Sequence, residues 1–191
     1  MGQIAGAVHS PGQWNRNEWF PSLVLSSMQV RSLPLSLGHT LGRVDWVPVD
    51  LLAGVLVDIA LSLPGGEGDV GVSHPLNLCP TTWDDIRSVV QAMLEGRIGK
   101  LEVVPLADWA RLVRRDVEDG KAEELGELLE RNPAAKLLRF FEGVVADDGV
   151  LDNRLETRRT AERSERLRAI GGIQAHWVEK WVSEWLLPLN S

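Results

Sequence analysis

The sequence contains no tyrosine and a single cysteine, Cys79, among its 191 residues. The missing tyrosine excludes any chemistry in which a phenolic hydroxyl supplies the proton. One cysteine excludes an internal disulfide and favours a reducing compartment, so we expect a cytoplasmic protein. Because Cys79 lies between Leu78 and Pro80 with no basic neighbour, we expect a buried and inert thiol.

Positive charge and long apolar runs are also scarce. The 20 lysines and arginines are outnumbered by 27 aspartates and glutamates, which gives a formal net charge of -7. This balance argues against nucleic acid as a partner, since such binding depends on neutralising phosphates with Lys and Arg. No apolar run reaches about 18 residues, so no membrane span is expected. The N-terminus lacks the basic region and long apolar core of a signal peptide.

No cluster of metal-ligating or catalytic side chains stands out. The four histidines are scattered without ligand spacing, and with one cysteine a metal site is not expected. Asp45 and Asp50 form a close pair of carboxylates, and such pairs can divide acid and base roles. Helix capping is the stronger explanation for Asp50, because an apolar run follows it directly.

The chain is organised around residues 44–61. Pro48 keeps Val47 out of helical geometry, so residues 44–47 are predicted to be extended. Asp50 precedes the apolar run that ends at Leu61, and its carboxylate is placed to cap the first turn of a helix. Because this helix is apolar on nearly every side, we expect it to be central and buried.

The remaining patterns predict short strands and many helices. In the first part of the chain they predict a strand end at 2–6, a helix at 18–28, a Pro/Gly connection at 33–38, a loop at 64–69 and a strand at 70–74. A helix capped by Thr81 or Thr82 and a strand at 101–104 follow. From Asp108 onward the patterns predict helices, among them one continuous Arg- and Glu-rich helix at 157–168 and a last helix near the C-terminus. In the last helix, Trp177, Trp181 and Trp185 recur every four residues and indicate a buried stripe. The whole predicts an α/β fold that is predominantly helical.

Several short motifs follow one another in a characteristic order. They are Gly-Gln-Ile-Ala-Gly at 2–6, Gly-Gln-Trp-Asn at 12–15, Glu-Trp-Phe-Pro-Ser-Leu at 18–23, Leu-Pro at 33–34, Asp-Trp-Val-Pro-Val-Asp at 45–50, His-Pro-Leu-Asn at 74–77 and Thr-Thr-Trp at 81–83. Together they resemble the C-terminal half of the thioester reductase domain found in nonribosomal peptide synthetase-like enzymes, polyketide synthases and carboxylic acid reductases. The resemblance covers nearly the whole chain.

The resemblance implies both a fold and a reaction. That domain is an extended short-chain dehydrogenase/reductase, so residues 1–68 are expected to hold the trailing strands of a Rossmann-type sheet. Residues 69–191 are expected to form a helical substrate-side subdomain. In the complete domain, hydride from NADPH reduces an acyl thioester and releases an aldehyde or an alcohol. The partner is an acyl or peptidyl carrier protein with its phosphopantetheine arm.

The resemblance also assigns candidate site residues. In a complete domain Gln3 and Ile4 would lie beside the nicotinamide, and the alternative is a plain buried strand end. The acyl or pantetheine channel would be lined by Trp14, Asn15, Trp19 and Phe20. The alternative for these four is an anchored loop in which Asn15 caps the next helix.

The departure from the family pattern is as informative as the match. The glycine-rich dinucleotide loop and the Tyr–Lys catalytic group lie upstream of this region in the family, and neither occurs here. We therefore expect the trailing part of a reductase, inactive without its upstream half and unable to bind NADPH alone. The alternative is a non-catalytic module that binds a carrier protein or a reductase partner.

One local charge cluster bears on that partner. Arginines at 154, 158, 159, 163, 166 and 168 make a basic helix in an acidic protein. An acidic carrier protein could dock there. The simpler explanation is a solvated face with i,i+4 ion pairs, such as Arg158 with Glu162.

Overall fold

The structure is a computed structural model that describes residues 3–9, 12, 14–62, 71–120, 125–146 and 155–187. The predicted loop at 64–69 and the predicted boundary between residues 68 and 69 lie outside these residues. The described helices are α1 Trp19–Gln29, α2 Gly38–Gly42, α3 Val49–Ser62, α4 Trp83–Ile98, α5 Leu106–Asp119, α6 Leu125–Arg131, α7 Leu138–Ala146, α8 Arg158–Arg163, α9 Glu165–Ala169 and α10 Ala175–Leu186. A 3₁₀ helix, Pro133–Leu137, lies between α6 and α7.

Six short strands accompany these helices in the described residues, and the α/β, predominantly helical class is confirmed. They are β1 Ile4–Ala5, β2 Ser32–Pro34, β3 Arg43–Val44, β4 Val47–Pro48, β5 Thr81–Thr82 and β6 Glu102–Val104. They pair as β1–β4 and β2–β6, both parallel, and as antiparallel β3–β5. None of the described helices combines the length and the apolar character that crossing a bilayer requires.

Strand β4 and helix α3 follow the sequence pattern at 44–61 closely. Ile4 is opposite Val47 and Ala5 is opposite Pro48. The main-chain N–H of Val47 donates to the Gln3 carbonyl at 3.2 Å. Pro48 has no N–H to donate, so the strand ends there and α3 begins at once.

The sequence predicts a connection at 33–38, but the structure has strand β2 at its start. Leu33 of β2 lies opposite Val103 of β6, about 70 positions along the chain. The carbonyl of Pro34 accepts the indole N–H of Trp83 at 2.9 Å. The strand is created by these distant partners and has no local signal.

Helix α4 starts at a capping box, as predicted from its sequence. The Thr82 hydroxyl accepts from the Asp85 N–H at 3.3 Å, and the Asp85 carboxylate accepts from the Thr82 N–H at 2.9 Å. These bonds, the one from the Thr82 main chain above all, hold the pKa of Asp85 below its usual value. Gly99, with φ of 78°, ends the helix.

The centre of the core is aromatic. The Trp14 ring has centroid distances of 5.5 Å to Phe20 and to Trp46, 5.2 Å to Trp181 and 5.6 Å to Trp185. All four contacts are edge-on or tilted, and such rings favour these arrangements over face-to-face stacking. The predicted tryptophan stripe of α10 is therefore confirmed as core, and it packs directly on the N-terminal part of the chain.

A second anchor joins α1 and α5 to the end of α6. The Asp116 carboxylate accepts from Gln29 at 3.1 Å, from Arg131 at 2.9 Å and from the buried amide of Asn132 at 2.9 Å. Burial raises the pKa of Asp116, but these hydrogen bonds and the Arg131 charge outweigh burial and hold the pKa below its usual value.

The prediction that the 51–61 helix is buried on nearly every side is wrong. Helix α3 buries Leu52, Val55 and Ile59, whereas Leu56 is 48% exposed and Val57 is 53% exposed. The reason is that the aromatic cluster occupies the centre of the core, and α3 packs on one face only. Its outward face is nevertheless apolar and carries Val49, Ala53, Leu56, Val57 and Ala60, which we call the α3 stripe.

The basic helix predicted at 157–168 is divided into α8 and α9 at Ser164. This residue is extended, with φ of -134° and ψ of 113°, and its hydroxyl accepts from the Leu167 N–H at 3.1 Å. The same hydroxyl donates to Asp58 at 2.7 Å. Ser164 therefore caps α9 while bonding to α3, and the tertiary contact fixes the break.

Two further local predictions are wrong. Residues 71–74 form no strand, and Val70 lies outside the described residues. The N–H of His74 instead donates to the Thr160 hydroxyl at 2.7 Å, so a side chain replaces a strand partner. Cys79 is exposed rather than buried, because it lies in a turn at the surface. Its main-chain N–H donates to the side-chain oxygen of Asn77 at 2.9 Å.

Candidate functional site

The carboxyl ends of β1 and β4 lie side by side. Because the two strands are parallel, the segment after Ala5 and the start of α3 leave the sheet at the same edge. In α/β folds, ligands bind outside the carboxyl ends of parallel strands. This edge is therefore the place where convergent polar groups and an adjoining cavity are expected.

The segment that follows β1 is held tightly against the aromatic core. A Cβ at Gly6 would lie 2.9 Å from the ring of Trp181 and 3.0 Å from Trp14, so only glycine fits without a shift. The Ala7 carbonyl accepts from the Trp181 indole at 3.1 Å and from Lys180 at 3.0 Å. The path of the chain beyond β1 is thus fixed by α10.

Asp50 fixes the next two residues. Its carboxylate accepts from the Val8 N–H at 3.1 Å and from the His9 N–H at 2.8 Å. Helix α3 begins at Val49, so Asp50 lies inside the first turn rather than at the cap position that the sequence predicted. It still favours the positive end of the helix dipole, and its main role is to join the two strand ends.

A cavity of about 490 Å³ opens beside these strand ends. Its volume lies within the range of about 300–1,000 Å³ typical of ligand pockets. We call it the strand-end cavity, and its lining includes His9, Asp50, Gly54, Arg166, Gln174 and Trp177. The walls therefore combine an indole surface with imidazole, carboxylate, guanidinium and amide groups.

Arg166 reaches the cavity by crossing over α3. Its Nη1 donates to the Asp58 carboxylate and to the Gly54 carbonyl, the latter at 3.4 Å. A Cβ at Gly54 would lie 2.8 Å from Arg166 Cδ, so the glycine leaves the room that the arginine occupies. Together with Ser164, these contacts form what we call the Asp58 clasp between α3 and α9.

Gln3 and Ile4, the predicted nicotinamide neighbours, lie at the strand but outside the cavity lining. The Gln3 amide donates to Glu18 at 2.9 Å, and its oxygen accepts the Trp19 indole N–H at 2.8 Å. Gln3 thereby links β1 to the start of α1. Ile4 is partly buried and packs against the cluster around Val47. Their contact with a cofactor stays a prediction.

The four predicted channel residues are distributed between the core and the surface. Trp14 is 3% exposed and Phe20 is fully buried, so both rings lie within the aromatic cluster. Asn15 is exposed and accepts from the Asn17 N–H at 3.0 Å, in the turn that precedes α1. Trp19 is partly buried and bonds Gln3. None of the four lines the strand-end cavity.

Trp14 and Asn15 do line a second cavity, of about 830 Å³. Its other polar contributors include Arg16, Asn17 and Lys136. Arg16 donates to the main chain of α10 at 2.7 Å, and Lys136 donates to Asn17 at 3.0 Å. These polar groups tie together the segments around the cavity. The role of Trp14 and Asn15 as channel residues stays a prediction.

The sequence does not predict which residues meet at the strand-end cavity. Its patterns predict Arg166 on a solvated face and Trp177 in the core. One signal was present in Gly54, since a glycine inside an apolar helix costs about 1 kcal/mol relative to alanine and indicates a close approach. The sequence does not show which residue approaches it.

No protein-family model matches the chain. A carboxylic acid reductase from Neurospora crassa is 30% identical over 97% of the chain. The non-reducing polyketide synthase SAT8 from Stachybotrys chartarum is 34% identical over 96% of it, and the adenylate-forming reductase Nps10 from Heterobasidion annosum is 30% identical over 74%. The chain spans only 17%, 6% and 11% of these three proteins' lengths.

The matches extend along nearly the whole chain and involve reductases and synthases of the kinds that the motif order indicated. The resemblance inferred from residues 2–50 and 74–83 is therefore confirmed. The chain is a homologue of the C-terminal reductase domain of carboxylic acid reductases, adenylate-forming reductases and non-reducing polyketide synthases.

Proposed function

We propose that this chain is the C-terminal portion of an NADPH-dependent thioester reductase domain located in the cytoplasm. The complete domain would reduce an acyl thioester held on a carrier protein and release an aldehyde or an alcohol. The observation that carries the proposal is the α3 stripe, an apolar face left bare beside two parallel strand ends. It marks the side on which a dinucleotide-binding half would pack.

The β1–β4 sheet has the character of a sheet margin. Parallel sheets are normally covered on both faces and contain several strands. Main-chain groups of successive residues point to opposite edges, and Gln3 bonds β4, so those of Ile4 point away from β4. The Ile4 carbonyl also accepts from the Gln3 side chain at 2.8 Å, so a further parallel strand would have to share or displace that bond to extend the sheet there. The same domain could cover the α3 stripe.

The described residues do not fit a dinucleotide on their own. A pyrophosphate is usually held by the N–H groups at a tight strand–helix turn. After β1, the next helix starts only at Trp19. After β4, the helix starts at once, but its first turn carries Asp50, whose negative charge opposes a phosphate. The cofactor would therefore be held by a dinucleotide-binding half other than the described residues.

The strand-end cavity suits the arm of a carrier protein. A phosphopantetheine arm carries two amide groups along an aliphatic chain. The Gln174 amide and the Arg166 guanidinium supply polar groups, although Gln174 Nε2 also donates to the Gly172 carbonyl at 2.7 Å and Arg166 Nη1 to Asp58, and the Trp177 ring supplies an apolar wall. The cavity's place at the carboxyl ends of β1 and β4 would bring a bound thioester to the edge where hydride transfer occurs in such folds.

The alternative function is a non-catalytic module that binds a carrier protein or a reductase partner. A module that functions alone is expected to cover its apolar surface, because contiguous exposed apolar patches favour association. The exposed fractions of Leu56 and Val57 therefore favour the incomplete reductase over this alternative.

The test joins the missing half to this chain. The segment that precedes the matched region in the Neurospora crassa relative is fused upstream of residues 1–191. The chain alone is expected to bind no NADPH by calorimetry. The fusion is expected to bind NADPH and to consume it in the presence of a small acyl-pantetheine thioester. The control is the same upstream segment without the chain.

Two results would contradict the proposal. Micromolar NADPH binding by the chain alone would mean that it holds a dinucleotide site of its own. A folded fusion that binds NADPH but reduces no thioester of any chain length would remove the reductase assignment.

A further inference from the structure

A basic face lies on α8 and α9, in a chain whose formal charge is -7. Residues 155–169 contain three glutamates and five arginines, which are Arg158, Arg159, Arg163, Arg166 and Arg168. The local charge is thus opposite in sign to that of the whole chain. Such a patch creates a field that attracts an acidic surface and increases the rate of encounter with it.

Some of this charge is neutralised within the chain. Arg158 pairs with Glu162 at 3.4 Å on the same helix, an exposed pair of small energetic value. Arg166 pairs with Asp58 in the clasp. The charges of these two arginines are therefore partly neutralised within the chain and contribute less to the external field.

The other three arginines pair with no carboxylate of the described residues. Arg168 donates to main-chain carbonyls at the end of α8, those of Ala161 and Glu162, rather than to a carboxylate. Arg159 and Arg163 form no ion pair with any residue that the structure describes. The face thus presents three arginines that pair with no carboxylate in the part of the chain that the structure describes.

This face adjoins the strand-end cavity and lies away from the α3 stripe. Arg166 of α9 and Ile170, the residue after this helix, both line the cavity. On α3, Gly54 and Asp58 contact Arg166 of α9. Since each residue turns the helix by about 100°, Leu56 lies about 160° around α3 from both of them, whereas Val57 lies about 60° from Gly54 and about 100° from Asp58. A domain that covers the stripe from the Leu56 side would leave the α8–α9 face open.

We propose that the α8–α9 face is the docking surface of an acidic carrier domain, whose phosphopantetheine arm enters the strand-end cavity. This inference rests on the proposed function and adds the partner's binding surface. Charge complementarity identifies the partner's chemistry, and the shared wall of α9 gives the arm a short path from the docked domain to the cavity.

The test is a binding measurement on the full 191-residue chain. The probe is a purified acyl carrier protein of net negative charge, in its apo and holo forms. Calorimetry at low salt is expected to show binding of both forms, tighter for the holo form. The charge-reversal variant Arg159→Glu/Arg163→Glu is expected to raise both dissociation constants about tenfold, and high salt should reduce the difference between variant and wild type.

A matched control separates the surface from overall charge. Arg115→Glu/Arg139→Glu makes the same change in net charge at exposed positions on α5 and α7, which pack against each other. It is expected to leave both dissociation constants within about twofold. If the charge-reversal variant has an altered circular dichroism spectrum, Arg159→Gln/Arg163→Gln replaces it, with an intermediate loss expected.

The outcomes are distinguishable from those of the proposed function. Equal losses in the two double variants, or no binding by the wild type, would overturn the docking surface. Salt-sensitive dimerisation of the chain, abolished by Arg159→Glu/Arg163→Glu, would assign the face to a second copy and also overturn it. Reduction of a small pantetheine thioester by the fusion requires no docked carrier, so the reductase proposal is decided separately.

Discussion

The α3 stripe makes a quantitative prediction about the chain alone. Fully burying a leucine or valine side chain contributes about 1.5–3 kcal/mol. Leu56 is 48% exposed and Val57 is 53% exposed, so about half of that remains for a partner to supply. Each side chain therefore offers roughly 1 kcal/mol to any association that covers the stripe.

We expect the isolated chain to self-associate through this stripe. Leu56→Gln should lower the association constant about fivefold for each stripe that is covered, and Leu56→Gln/Val57→Gln about 30-fold. The assay is sedimentation equilibrium over a range of protein concentrations. Circular dichroism checks that α3 stays helical, which is expected because glutamine is a good helix former.

Leu35→Gln is the matched control. Leu35 is 50% exposed, nearly the same as Leu56, but it lies outside α3 at the end of β2. It should leave self-association unchanged. A wild-type chain that stays monomeric at all concentrations, or equal effects of Leu35→Gln and Leu56→Gln, would refute the assignment of the stripe as an interface.

Three further predictions concern stability, measured by urea denaturation. Thr82→Ala removes the cap of α4 and should cost about 1 kcal/mol, whereas Thr82→Ser should be nearly neutral. Asp116→Asn should destabilise at neutral pH by weakening the bond to Asn132. The pKa of Asp116 is lowered in the folded state, so the ionised carboxylate stabilises the fold above about pH 4, and this stabilisation is lost as the pH falls further. Below about pH 4 the wild type should therefore lose more stability than Asp116→Asn. Gly54→Ala should add up to about 1 kcal/mol in an Arg166→Ala background but not in the wild type, and additive effects in this double-mutant cycle would contradict the close approach of the two residues.

Much of the local structure could be predicted from the sequence because its causes are local. The Thr82 cap, the start of α4 and the burial of Trp181 and Trp185 follow from residue types at helical spacing. Strand β2 and the break at Ser164 could not be predicted in this way. Each depends on a partner far along the chain, Val103 for the strand and Asp58 for the break.

The candidate site was predictable only in part for the same reason. The family could be identified from the sequence, because the order of several short motifs along the chain is characteristic of it. The strand-end cavity depends on how α9 crosses α3, and its key contact joins Gly54 to a residue 112 positions away. The failure on α3 has a different cause. An apolar helix predicts that something covers it, but it does not say that the covering element is in the same chain.

The two flanks of α3 explain how one helix can serve both proposed roles. One flank is joined to α9 through the contacts of Asp58 and Gly54, so the cavity wall and the basic face are attached directly to α3. The other flank is apolar and bare. A dinucleotide-binding half that packs on the bare flank would fix the position of β1, β4 and α3 together. It would thereby also set the distance between its own cofactor and an arm held beneath Arg166, so that association of the two halves and alignment of the thioester would be one event.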